Sequence, residues 1–112
     1  MKKYELQVAD FDVTYPIRDE KGTVTDKTET YKFREMVGNL LRAMGVFKTG
    51  EEIVEAITLA KQIRDCENDM ITLDEKEADT LKKCLNVHIS KNSFGGIIHE
   101  TAILRIFNMK EV

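Results

Sequence analysis

The sequence has no tryptophan, one proline, two cysteines and two histidines in 112 residues, and it lacks internal repeats and low-complexity segments. It also lacks a basic excess. A net charge of -3 and a pI near 5.4 give no general attraction to phosphate backbones, and its cations are interleaved with acids, as in Arg64-Asp65 and Lys76-Glu77, so a nucleic-acid partner is not expected. Cys66 and Cys84 are too far apart for a Cys-x-x-Cys site and have no histidine at metal-ligand spacing. Reduced, structural thiols are expected, with no metal and no cofactor. No stretch approaches the roughly 18 apolar residues of a membrane-spanning helix. Met1, Lys2 and Lys3 resemble the charged start of an export signal, but Tyr4 to Asp12 follows with acids instead of an apolar run, so the expected location is the cytoplasm.

Apolar residues at 42% and charged residues at 33% describe a chain that folds. The length suits a single domain, 1–112, with a β-rich segment over 1–31 and a helical portion over 32–112, neither of which could hold a core alone. Tyr4, Leu6 and Val8 alternate, slip one place across Asp10, and resume as Phe11, Val13 and Tyr15. That pattern fits one strand with a bulge, or two short strands. Pro16 cannot donate to a ladder, and Asp19-Glu20-Lys21-Gly22 supplies turn chemistry. The chain therefore reverses there and returns from Thr23 to Tyr31 as a polar edge strand or mobile arm.

Phe33, Met36, Val37, Leu40, Leu41 and Met44 recur at helical spacing, and Gly45 offers a left-handed stop. Thr49 with Glu52 forms a capping box that opens a second helix to about Cys66, with Ile53, Ala56, Ile57, Ala60 and Ile63 inward and Leu59 widening the stripe. Thr72 with Glu75 repeats the box ahead of a third helix carrying Ala78, Leu81, Cys84 and Leu85; Asn86 is its expected end, and Val87 with Ile89 an extended link. A last helix, from about Ile97 to Asn108, is apolar around most of its circumference. The predicted fold class is α+β: an N-terminal β-hairpin packed against a bundle of about four helices.

Several groups of residues invite a chemical reading. Asp65, Glu67, Asp69 and Asp74 alternate like calcium ligands, but Met70 stands where an EF-hand needs glycine and Lys76 where it needs glutamate. An acidic loop between helices explains them as well. His88 or His99 could serve acid-base work, with Cys84 as nucleophile, yet Cys84 lies near a helix C-terminus, which disfavours a thiolate. Ser93-Phe94-Gly95-Gly96 before a helix could aim N–H groups at an anion, but it lacks the P-loop and dinucleotide patterns, and a tight turn is the simpler use of its glycines. A helix-turn-helix built from helices two and three would place Asp74, Glu75, Glu77 and Asp79 against phosphates. No catalytic residue is assigned, and the chain is not expected to be an enzyme.

The order of features, from the hairpin through Phe33 to Leu41, Glu51-Glu52, Leu59-Ala60-Lys61-Gln62-Ile63 and Ile71-Thr72-Leu73, to Glu77 through Leu85, resembles small accessory proteins of tailed bacteriophages and prophages. The resemblance spans roughly Tyr31 to Phe107 and assigns no functional residue. It implies a small non-enzymatic phage protein in the bacterial host cytoplasm. The expected function is protein binding or self-association, with Ile97, Ile98, Ile103, Leu104 and Phe107 of the last helix as the interface. A virion structural or assembly factor and a small regulatory DNA-binding protein are the alternatives.

Overall fold

A computed structural model describes residues 2–92 and 94–112; Met1, from the charged start, and Ser93, from the glycine-rich turn, lie outside the described residues. The slip at Asp10 separates two strands that enter different sheets, β1 (Lys3–Gln7) and β2 (Phe11–Arg18). The single bulged strand is therefore not what forms. β1 lies between β4 (Met70–Asp74) and the short β5 (Lys110–Glu111), antiparallel to both, with Leu6 opposite Ile71 and Tyr4 opposite Leu73. Its position between two partners is matched by its burial: Leu6, and Val8 just beyond it, are wholly enclosed.

β2 pairs with β3 (Val24–Tyr31) in a separate two-stranded hairpin running from Phe11 opposite Tyr31 to Arg18 opposite Val24. Its turn is local chemistry. The Asp19 carbonyl accepts from Gly22 N–H at 3.0 Å, its carboxylate accepts from the N–H groups of Lys21 and Thr23 at 2.9 Å, and Gly22 takes φ of 81°. Glycine adopts that left-handed conformation at no steric cost.

α1 (Phe33–Arg42) and α2 (Gly50–Asp65) start where their patterns place them, and the Thr49 hydroxyl accepts from Glu52 N–H at 3.2 Å. α1 stops earlier than its stripe implies: Ala43 is extended, and Met44, read as inward, is 97% exposed. Ile53 of α2 is likewise turned out, at 44% exposure. The second capping box lies two residues along from the expected one. Asp74 and Glu77 cap α3 (Glu75–Ser90) reciprocally, at 2.7 and 3.0 Å, which frees Ile71-Thr72-Leu73 to be the strand β4. Asn86 does not end α3, and Val87 and Ile89 are helical, because they extend the same buried stripe as Leu81, Cys84, Leu85 and His88. The last helix opens as a single 3-10 turn (Ile97–His99) and becomes α4 (Glu100–Phe107), burying Ala102 and Ile106.

The described residues thus form a mixed fold of four α-helices and five strands in two small sheets. One cluster of buried side chains, from Leu6 to Ile106, joins the three-stranded sheet to all four helices. The expected hairpin is present, but it meets that body at its root, through Phe11, Val13 and Tyr31, while Val24 to Thr30 are exposed. With a longest extent of 54 Å against 30 and 22 Å, the molecule is a body with an arm.

Candidate functional site at the root of the arm

Two residues on either side of the β1–β2 joint fix where the arm leaves the body. The Asp10 carboxylate accepts from Phe33 N–H at 3.2 Å, giving one of α1's open N-terminal donors a partner from the link between β1 and β2. Arg105 of α4 donates to the carbonyl of Ala9 at 2.7 Å and more weakly to that of Gln7 at 3.4 Å. Its guanidinium lies over the rings of Phe11 and Phe33, at 4.3 and 5.1 Å from their centres, an arrangement suited to a planar cation. Burial lowers the Arg105 pKa, and Asp10 opposes that shift.

On the other side of the root, Tyr31 stacks on Phe11 at 4.8 Å, with the rings 16° from parallel. Its hydroxyl lies 2.8 Å from His99 Nδ1, and Phe94 covers the imidazole at 4.1 Å. Burial pushes the Tyr31 phenol up to about 12 and holds His99 below its ordinary value. With the phenol protonated and the imidazole neutral, the two share one hydrogen bond whose direction is set by the imidazole tautomer. A cavity of about 280 Å³ opens above this pair, walled by Val13, Met36, Asn39 and Ile98 among others.

The arm has two unlike faces. Val13, Tyr15 and Ile17 share one with Lys27 and Glu29, where the Tyr15 hydroxyl donates to the Glu29 carboxylate at 2.6 Å, raising the phenol's pKa. The opposite face is polar: the Thr14 and Thr28 hydroxyls meet at 2.8 Å and Thr30 donates to Asp12 at 3.4 Å. Beside the root, the five predicted interface residues divide. Ile97 and Leu104 stand out, 61% and 51% exposed, whereas Ile98, Ile103 and Phe107 are half-buried against the core. Ile97, Ile103 and Leu104 border a shallow depression of about 440 Å³.

The other sequence candidates have local partners. Cys84 and His88, one turn apart on α3, both reach the Leu40 carbonyl of α1, at 3.2 and 3.1 Å. His99 turns instead to Tyr31 and Phe94, so Cys84 and His99 do not hydrogen-bond as nucleophile and base. Burial raises the Cys84 thiol to about 12, which keeps it protonated at neutral pH. Asp65 pairs with Arg64 at 2.9 Å and Asp74 caps α3; among the described residues no three metal-ligating side chains converge. Gly95 and Gly96 take φ of 151° and 87° and lead into the 3-10 turn rather than directly into an α-helix. The segment between α2 and α3 holds a paired strand, not the short turn of a helix-turn-helix. Among the described residues, no helix is long and apolar enough to cross a membrane.

Sequence reasoning passed over Arg105, Asp10 and Tyr31. Arg105 left a trace, as a cation inside the most apolar stretch of the chain, and Tyr31 another, as the aromatic that ends a polar strand. A groove of about 550 Å³ between α2 and α3 also went unanticipated, and its charges are largely paired within it, Lys76 with Glu55 at 2.6 Å and Lys83 with Glu52 at 2.7 Å. No family model, no curated protein and no solved structure matches this chain.

Proposed function

We propose that this protein is a non-enzymatic binding module that works through protein–protein contacts, using the arm and the apolar residues beside its root. The observation that carries this reading is the hairpin itself. Its strands extend beyond the core with Val24 through Thr30 exposed, and one of its faces carries Tyr15 and Ile17. A lone two-stranded ribbon is marginal in water, and an open strand edge beside apolar side chains is a standard way to recruit another chain. Ile97 and Leu104 add exposed apolar area near the same root. The resemblance to phage accessory proteins supports an encoded origin of that kind, with a partner in the host or in the assembling particle.

The test is capture of partners from a bacterial lysate, with light scattering on the purified chain. Tyr15→Ser with Ile17→Ser, or Ile97→Ser with Leu104→Ser, is expected to remove the captured species or the self-association while the melting temperature stays put. A strict monomer that retrieves nothing defeats the proposal.

A further inference from the structure

We infer that the outer edge of β3 is a pairing surface for a second copy of this chain, joined antiparallel about Thr28 so that two arms become one four-stranded sheet. This rests on the arm being a contact element, and it names the partner.

The ladder fixes which backbone groups are free. Asp19 N–H donates to the Thr23 carbonyl at 3.0 Å, so that pair is hydrogen-bonded. Alternation along an antiparallel ladder then makes Ile17 with Thr25, Tyr15 with Lys27 and Val13 with Glu29 the bonded pairs. The intervening residues of β3, Val24, Asp26, Thr28 and Thr30, point their N–H and C=O groups outward. The close meeting of the Thr14 and Thr28 hydroxyls, 2.8 Å apart, is what a non-hydrogen-bonded pair produces. The same alternation points the nitrogen of Pro16 outward on β2, where it costs the hairpin nothing and removes a donor from that edge. β2 is thus blunted and β3 is not.

Charge selects the register. A twofold axis through Thr28 sets Thr28 against Thr28 and Asp26 against Thr30, and each of these pairs closes two main-chain hydrogen bonds. Between them Lys27 falls opposite Glu29 of the second copy, and the axis repeats that contact. Shifting the axis to Asp26 opposes two carboxylates. Centring it on Lys27 or on Glu29 still lets the outward groups pair, but it sets lysine against lysine or glutamate against glutamate across the axis. The Thr28 register also leaves both copies of Val13, Tyr15 and Ile17 on one side of the enlarged sheet, doubling the apolar face proposed above for partners.

Light scattering and sedimentation of the full chain across a concentration series are expected to show a dimer. Lys27→Glu and Glu29→Lys should each weaken it at least about tenfold, since each sets like charges opposite one another twice. An equimolar mixture of the two variants should dimerise again, because every glutamate then faces a lysine. That recovery separates pairing from a damaged hairpin, which mixing does not repair. Thr28→Pro, which removes an outward N–H without touching the β2 ladder, should leave a monomer with unchanged far-UV dichroism. A chain monomeric at every concentration, a dimer indifferent to these changes, or a mixture that stays monomeric overturns the inference. Partner capture by a wild-type chain that stays monomeric at every concentration would leave the binding reading standing while this one falls.

Discussion

β1 and β3 are both strands of antiparallel sheets, yet the shorter one holds the molecule together and the longer one holds mainly to its neighbour in sequence. β1 has five residues, is bonded along both edges, and takes its partners from Met70–Asp74 and Lys110–Glu111. β3 has eight, is bonded along one edge, and takes its partner across a single tight turn. Strand length therefore says little about contribution to stability. What counts is whether the side chains are carried into a shared interior, as Leu6 is and Thr28 is not.

The largest effect that would sharpen this contrast is at the junction of the two regions. Phe33→Ala removes a wholly buried ring that begins α1 and lies under Arg105; urea unfolding should show a loss of about 3–5 kcal/mol. Asp74→Ala opens the capping box at the β4–α3 boundary and should cost about 1 kcal/mol in the same assay. A modest, pH-dependent effect is expected from His99. Its folded pKa lies below the ordinary 6.5, so the unfolded chain takes up the proton first. Stability is then full above that value and falls as the pH drops through it toward the lower folded pKa. Urea midpoints at neutral and mildly acidic pH should reveal this, with His99→Gln removing its share. Smallest of all, Ile17→Thr on the arm should shift stability by no more than about 0.5 kcal/mol in the monomer. Hydrogen exchange offers the matching control: amides of β1 should exchange far more slowly than those of β2 and β3. Equal protection in both sheets would break the comparison.

Much of the helical portion is legible in the sequence, because the information there is local. Thr49 and Glu52 cap α2 within one turn, and the stripe through Ala56, Ala60 and Ile63 has room to repeat. The hairpin is legible for the same reason, since Asp19 and Gly22 bond to their own neighbourhood. The losses are long-range. β4 is too short to display a period, its partner lies far back in the chain, and Thr72 with Glu75 imitates the box that Asp74 and Glu77 form. Val87 and Ile89 look like a strand by residue type, while their place on the α3 stripe makes them helical. Among the site residues, exposure of Ile97 and Leu104 follows from apolar crowding on a short helix. The clamp of Asp10, Arg105, Tyr31 and His99 joins four segments that no local pattern relates.

Asp74 is both the last residue of β4 and the cap of α3, so strand passes to helix with no residue between them to absorb change. A one-residue insertion there would turn the helix by about 100° and swing Leu81 and Leu85 out of phase with the interior. The same insertion between Asp19 and Gly22 would lengthen a solvent-facing bend and leave everything behind it in place. The chain should therefore tolerate length variation at the tip of the arm and refuse it at that hinge-less seam.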